Sequence, residues 1–155
     1  MKLFTNRKEF ESALRGIRKW DRTLEALDTL SARPYLDENV MYSIGDSLTY
    51  RKIRGDQIAD SRFTGHRRYQ EVIFSANGGC SVLVAPKHNL NREIEYSDLT
   101  DREQFSGDGV GEVIQVPQGG ILIIDIDEGY RIVATPDSSL VELHVTVEGA
   151  FFHNK

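Results

Sequence analysis

The feature that most restricts the fold is the succession of short β-prone stretches that follows Pro34. Stretches rich in Val, Ile and Tyr recur there, separated by Gly, Asn, Asp and Pro. This pattern is typical of an antiparallel β domain. Nine strands are predicted, over residues 40–44, 47–53, 69–76, 80–85, 93–96, 112–116, 121–126, 130–134 and 140–147. The tightest predicted turn, Gly45-Asp46, joins the first two as a hairpin.

The segment before Pro34 is predicted to be helical. Between residues 6 and 30, apolar side chains recur at steps of three, four and seven, which places them on one helix face. Asn6 and Glu9 have the spacing of a capping box. Because residues 20–23 interrupt the apolar face and Asp21 is a suitable cap, one long helix and two short helices both remain open. Nine strands behind one helical region favour a closed or sandwiched antiparallel barrel.

Composition limits the size and the partners of the chain. A length of 155 residues with 39% apolar side chains fits one domain, with a helical cover at 6–30, a barrel at 38–148 and a tail at 149–155. A net charge of −5 disfavours nucleic acid and anionic lipid as partners. Cys80 is the one cysteine, and no apolar run resembles a signal peptide or a membrane span. We therefore expect a cytoplasmic protein without membrane partners.

A polar turn at residues 63–72 contains the strongest motif. The first cupin motif consists of His-x-His, then a Glu at the start of a strand, then a Gly in a turn. The spacing of His66, Glu71 and Gly78 resembles the second half of that motif. Imidazole and carboxylate groups on neighbouring strand positions can bind one cation. This resemblance implies a cupin-like double-stranded β-helix with one or two helices packed outside. The position of the first histidine is occupied by Thr64.

The second cupin motif is incomplete. Gly111, Pro117 and Gly119 match its spacing, which puts Leu122 where the final histidine belongs. A second alignment, which is implied by the family resemblance described below and not by the spacing, moves that position to Tyr130. The predicted metal ligands are therefore His66 and Glu71, in a site left incomplete by Thr64 and Tyr130, and a divalent metal such as zinc is the candidate cofactor.

The same region also suits a sugar. Sugars need hydrogen-bonding groups together with aromatic faces. We predict His66 and Glu71 as an acid–base pair for ring opening. The predicted ligand-binding residues are Arg68, Tyr69, Glu128 and Tyr130. The polar stretches 54–68 and 97–108 are predicted as loops, either solvated connections or linings of the barrel mouth.

Four other features are weaker candidates. His88 lies in a turn and is expected to be exposed. In 141–147 the apolar residues share one strand face, so His144 is expected to be solvated on the opposite face. Cys80 is expected to be a buried, inert thiol. The aromatic pair in the tail, Phe151-Phe152, either docks on its own barrel or on another subunit, or stays solvated and disordered.

Several blocks of the sequence resemble one bacterial family. They are SIGDSLTYR at 43–51, FTGHRRY at 63–69, APK at 85–87, TDRE at 100–103 and FHNK at 152–155. These blocks look like the small (beta) subunits of evolved β-galactosidases, and the similarity runs essentially the full length. That group is similar to sialic-acid anomerases and biofilm-associated proteins, whose fuller metal set has Glu at the position of Thr64 and His at that of Tyr130.

The resemblance implies a partner-dependent role. It implies a large catalytic chain that holds the glycosidase carboxylates, and a hetero-oligomer with equal numbers of each subunit that hydrolyses lactose and other β-galactosides. Three hypotheses remain open. They are an accessory subunit of that enzyme, a sugar-binding cupin with anomerase activity on galactose or a related sugar, and a metal-dependent cupin enzyme of another substrate.

Overall fold

The computed structural model describes residues 1–33, 37–58 and 61–147. Within these ranges the helices are α1 (Arg7–Leu14) and α2 (Arg18–Ala32). The strands are β1 (Lys2–Phe4), β2 (Tyr42–Ile44), β3 (Leu48–Arg54), β4 (Phe63–Gly65), β5 (Tyr69–Asn77), β6 (Cys80–Pro86), β7 (Asn91–Ser97), β8 (Arg102–Ser106), β9 (Glu112–Val116), β10 (Ile121–Ile124), β11 (Glu128–Val133) and β12 (Ser139–Thr146). The prediction of a mainly β fold is confirmed.

Two antiparallel sheets pack against each other. Sheet I has the order β1-β10-β5-β12-β3-β2, and sheet II has the order β7-β8-β4-β11-β6-β9. From β3 to β6 and from β9 to β12 the chain passes from one sheet to the other at each step. This alternation is the jelly-roll arrangement that cupins share. The predicted cupin-like double-stranded β-helix is therefore confirmed, and the predicted hairpin of β2 and β3 is present.

The helices cover the outer face of sheet I. Phe10 of α1 and Trp20, Leu24 and Leu27 of α2 share a core with side chains of that sheet. A second core lies between the two sheets and is formed by side chains of both, including Leu122 and Leu140 of sheet I and Val82 and Ile132 of sheet II. Sheet I is therefore covered on both faces, by the helices on one side and by sheet II on the other.

Because sheet I is covered on both faces, one face of strand β12 meets the helices and the other meets sheet II. Val141, Leu143 and Val145 pack against the helices, because successive strand residues face opposite sides. The intervening residues Glu142 and His144 therefore face sheet II and the interior of the barrel. The polar face of β12 is an inner face rather than a solvated one.

The helical region consists of two short helices. Asn6 accepts a hydrogen bond from the backbone N–H of Glu9, as the capping box predicts, but Glu9 binds the N–H of Thr5 instead of that of Asn6. The prediction that Asp21 caps the second helix is wrong, since Ile17 is the N-cap and Asp21 lies in the first turn. The carboxylate of Asp21 accepts from the N–H of Gly16.

Three strands were not predicted, and two of them lie in the presumed loops. β4 falls within 54–68 and β8 within 97–108. β8 has almost no apolar signal, yet it pairs with β4 on one side and β7 on the other. Pairing within the sheet satisfies the backbone hydrogen bonds of β8. Arginine and lysine side chains form ion pairs with its buried residue Glu103.

Two further expectations concern the chain ends and membranes. Pro34 and the predicted tail at 149–155 lie outside the described residues. Neither α1 nor α2 combines the length and apolar character that a helix needs to cross a bilayer.

Candidate functional site

Two imidazoles and one carboxylate meet between the sheets. His66 follows β4, Glu71 lies on β5, and His144 lies on β12 directly opposite Glu71 in the ladder. Glu71 Oε2 is 2.8 Å from His144 Nε2 and 3.3 Å from His66 Nε2. One donor atom from each of the three residues lies within 4.8 Å of the other two. We call these three residues the His–Glu–His cluster.

A backbone carbonyl fixes the tautomer of His66. Its Nδ1 is 2.6 Å from the carbonyl oxygen of Asp101. Because a carbonyl oxygen only accepts, Nδ1 must donate. In the neutral ring, Nε2 then directs a lone pair towards the Glu71 carboxylate. That contact becomes favourable when the ring is protonated or when a cation lies between the two atoms.

The electrostatics of the cluster favour an ionised Glu71 carboxylate with positive charge beside it. Burial raises the pKa of Glu71, but His144 and His66 outweigh this effect and bring the pKa down to about 2. Burial lowers the pKa of His144, but the charge of Glu71 outweighs it and the net change is a rise. Glu71 is therefore an ionised carboxylate at neutral pH, with imidazole groups on two sides.

The donor atoms of the cluster fit a divalent cation. The carboxylate of Glu71 has two imidazole nitrogens in close contact, Nε2 of His144 at 2.8 Å and Nε2 of His66 at 3.3 Å, while its Oε1 makes no hydrogen bond among the described residues. Buried acceptors without a partner are costly, so such atoms call for an explanation. Two histidines and one carboxylate with open positions are a donor set for zinc and other first-row metals. A cation bound by this cluster would satisfy these atoms.

The cluster brings together the two predicted metal ligands, His66 and Glu71, and adds His144, which was missed. His144 was expected to be solvated, and that expectation is wrong because its side chain is only 13% exposed. The error came from assigning the apolar face of β12 to the barrel interior. The alternation of Glu142, His144 and Thr146 with valine and leucine was the available signal, because an apolar face packed against the predicted helical cover leaves the alternate residues facing the other side of the sheet.

Tyr130 lies beside the cluster. Its hydroxyl is 3.3 Å from Nε2 of His66. Burial, followed by the charges of Glu71 and Glu142, raises the pKa of Tyr130 well above its ordinary value. It is therefore a neutral hydroxyl at physiological pH, suited to hydrogen bonding.

The two other positions from the cupin motifs lie apart from the donor atoms. Thr64 pairs with Tyr130 across β4 and β11 and lines the neighbouring cavity. Leu122 is fully buried in the core between the sheets. Of the two alignments of the second motif, the structure brings the Tyr130 position to the cluster.

The remaining predicted ligand-binding residues surround the site. The ring of Tyr69 is 6.5 Å from that of His144. Arg68 turns away to Asp101, 3.6 Å from its carboxylate. Glu128 binds the terminal ammonium of Met1 at 2.8 Å. Arg68 and Glu128 are thus engaged with other residues rather than with the cluster.

Asp101 connects this site to the loop before β8. It has a left-handed backbone with φ 49° and is 3% exposed. Its carboxylate accepts from the N–H groups of Arg67 and Arg68 and from the hydroxyl of Tyr96, at 2.6 Å. These bonds hold the carbonyl that orients His66.

Beside Tyr130 a cavity of about 280 Å³ opens between the two sheets. Sheet I contributes Arg51 and Glu142, which form an ion pair at 2.5 Å. Sheet II contributes Thr64, Arg102 and Tyr130. Burial, followed by the charge of Glu71, raises the pKa of Glu142, although Arg51 opposes the rise. The cavity is polar and adjoins the His–Glu–His cluster through Tyr130.

Two other expectations concern the remaining weak candidates. His88 is exposed in the turn Lys87–Asn89, as predicted. Cys80 is buried, and burial raises the pKa of its thiol to about 11, in agreement with an inert thiol.

The comparisons with known proteins find distant likenesses. A scan of the sequence against protein-family models finds no match. Protein NMB1881 from Neisseria meningitidis is 12% identical, with a TM-score of 0.44 over 77% of this chain and 95% of its own. A hydroquinone 1,2-dioxygenase solved with Cd²⁺ and 4-hydroxybenzonitrile is 12% identical, with a TM-score of 0.46 over 76% of this chain and 71% of its own.

A hydroquinone 1,2-dioxygenase from Sphingomonas sp. TTNP3, with 4-hydroxybenzoate bound, is 11% identical. Its TM-score is 0.44, over 77% of this chain and 71% of its own. Values this low transfer neither an activity nor a ligand to this chain.

Proposed function

We propose that this chain is a sugar-binding accessory subunit of a bacterial β-galactosidase, with a site of its own at the barrel mouth. The observation that supports the site is the His–Glu–His cluster, in which buried acceptor atoms adjoin a polar cavity. The accessory role is supported by the sequence blocks between residues 43 and 155 that resemble the beta subunits. The two parts of the proposal are tested separately.

Mixing the purified chain with a large β-galactosidase subunit tests the accessory role. We expect co-elution with equal numbers of each subunit and faster lactose hydrolysis than the large subunit gives alone. Absence of both effects would refute the role. A Glu71→Gln variant serves as a comparison, because stimulation that survives this change belongs to docking rather than to the barrel site.

The chemistry proposed for the site is interconversion of sugar anomers. Ring opening requires one group to remove the proton of the anomeric hydroxyl and another to donate a proton to the ring oxygen. Glu142 lines the cavity, and burial raises the pKa of its carboxyl above the ordinary value, the direction that favours proton transfer by a general acid–base group. Tyr130 is neutral and can donate a hydrogen bond to a sugar oxygen. These two residues are positioned to act on a ligand in the cavity.

A divalent cation held by His66, Glu71 and His144 would polarise a sugar hydroxyl or carbonyl oxygen. A second arrangement needs no cation and uses His66 and Glu71 themselves as the acid–base pair. Elemental analysis of untagged protein distinguishes the two. About one equivalent of zinc or another divalent metal supports the first, and far less than one equivalent supports the second.

Polarimetry on freshly dissolved α-galactose tests the anomerase chemistry. We expect mutarotation faster than in buffer and a Glu142→Gln variant slowed by at least about a hundredfold, the lower range for losing a general acid–base group. Glu112→Gln is the control, because Glu112 is exposed on β9. A wild-type rate equal to that of buffer would remove this chemistry and leave the accessory role untouched.

A further inference from the structure

The cavity beside the cluster is lined by an excess of positive charge. Among its described lining residues are four arginines, Arg51, Arg62, Arg102 and Arg131, and one carboxylate, that of Glu142. The whole chain has a net charge of −5. The basic lining is therefore a local feature rather than a consequence of composition.

Two of these arginines are offset by acidic partners. Arg51 forms an ion pair with Glu142 at 2.5 Å, so the one carboxylate of the lining is itself compensated. Arg62 forms an ion pair with Glu93 at 3.0 Å. Neither pair leaves a net charge to attract an ion from solution.

The other two arginines have no acidic partner among the described residues. Arg131 donates to the carbonyl of Ser61 and lies over the ring of Phe63, while its buried Nε makes no hydrogen bond with described residues. Arg102 is half-buried on β8, and its side chain makes neither a hydrogen bond nor an ion pair within the described part of the chain. Guanidinium groups in such surroundings are suited to bidentate binding of carboxylate or phosphate.

Arg102 is close enough to influence Tyr130 and the His–Glu–His cluster electrostatically. Its charge acts to lower the pKa of both Tyr130 and His144. Tyr130 lines the same cavity, with its hydroxyl 3.3 Å from His66. Arg102 and Tyr130 line the same cavity, so a ligand there can contact both.

We propose that the cavity binds the anionic group of a small ligand, a carboxylate or a phosphate, and that Arg102 is the residue that receives it. The inference rests on the proposed function in that the ligand is a sugar, and it adds that the sugar is acidic. The volume of about 280 Å³ suits a ligand of monosaccharide size. Arg131 supplies a second donor, and Arg51 offsets the repulsion from Glu142.

Calorimetric titration with three matched sugars tests the inference. The probes are D-galactose, D-galacturonate and D-galactose 6-phosphate, which differ at the sixth carbon. We expect at least one acidic sugar to bind about ten- to a hundredfold more tightly than galactose, the range for a hydrogen bond to a charged group. Tighter binding of D-galacturonate would indicate a carboxylate ligand, and tighter binding of D-galactose 6-phosphate would indicate a phosphate ligand.

Arginine variants test whether Arg102 is responsible for the preference for acidic sugars. Arg102→Gln should abolish it, Arg102→Lys should retain part of it, and Arg15→Gln, which changes an exposed arginine paired with Glu11, should leave it intact. Thermal melts establish that each variant is folded. Equal binding of galactose and both acids overturns the inference while the sugar site survives. Failure of all three sugars to bind overturns both, and an acid preference that persists in Arg102→Gln overturns the role of Arg102.

Discussion

At the scale of single residues, His144 is the candidate ligand that the structure adds to the proposed metal site. It provides one of three donor atoms that lie within 4.8 Å of one another. Replacing His144 by Gln should lower zinc affinity by more than about a hundredfold, the upper end of what loss of a supporting outer-shell group costs. Titration of chelator-treated protein with Zn²⁺ or Co²⁺ measures the change.

His88 provides the matched control for that change. It is an exposed histidine in the turn Lys87–Asn89, so His88→Gln should leave zinc affinity unchanged. Equal affinity of the His144 variant and wild type would show that the cluster does not hold the metal.

Asp101 acts on the site through His66. Its carbonyl accepts from Nδ1 of His66, and its carboxylate anchors the loop through Tyr96. Asp101→Asn removes one acceptor of that anchor, so zinc affinity should fall about ten- to a hundredfold. The Co²⁺ absorption spectrum should keep its shape, since the ligand set is unchanged. A loss of the same size in Asp98→Asn, which alters an exposed neighbour, would contradict this positioning role.

At the scale of elements, helix α2 stabilises sheet I by covering its outer face. Leu27 is 3% exposed in the core that the helices share with β12. Leu27→Ala should lower the free energy of unfolding by about 3 kcal/mol, as buried leucine truncations do. Urea unfolding measures the loss, and Glu25→Ala on the exposed side of α2 is the control. A variant as stable as wild type would show that the cover contributes little.

Strand β8 is held by a buried ion-pair network centred on Glu103. Arg67 and Lys87 each lie 2.8 Å from its carboxylate and Arg92 lies 3.1 Å away, while Lys87 also donates to the carbonyl of His66. Burial raises the pKa of Glu103, but Arg67 and Lys87 outweigh it and lower the pKa from 4.5 to about 2. The network therefore links β8 to the backbone at the cluster.

The lowered pKa of Glu103 predicts a specific acid sensitivity. A carboxyl whose pKa is depressed by folding stabilises the fold above its unfolded value of 4.5, and this contribution is lost as the pH falls towards 2. Glu103→Gln should lower the free energy of unfolding by about 3 kcal/mol at pH 7. It should also flatten the pH dependence between 4.5 and 2. Glu93→Gln, which changes an exposed ion pair, should do neither. Parallel pH profiles of wild type and Glu103→Gln would contradict the prediction.

At the scale of the whole molecule, an exposed apolar residue marks a candidate contact with the large subunit. Leu99 is 99% exposed in the segment before β8. Leu99→Ser should weaken co-elution with a large β-galactosidase subunit without lowering the melting temperature. A double change of Phe151 and Phe152 to serine tests the tail in the same assay. If neither variant alters co-elution, both predicted contacts are wrong.

Strand pattern and motif spacing are local signals, and they predicted most of the strands and part of the cluster. The Val, Ile and Tyr stretches predicted nine strands near their observed positions, because alternation and turn residues act over a few neighbours. The spacing of His66 and Glu71 likewise predicted two members of the cluster, since both lie on one short segment. β8 escaped prediction because its buried Glu103 is satisfied by Arg67, Lys87 and Arg92, none of which lies on β8.

The sequence by itself determined the β-rich fold, the N-terminal helices and the His66–Glu71 pair. Only the tertiary structure decided that His144 completes the cluster, because its environment depends on which face of sheet I the helices cover. The same holds for Arg102, whose unpaired charge among the described residues depends on the packing of two sheets around one cavity. Periodicity specifies which residues share a face, and packing specifies what that face meets.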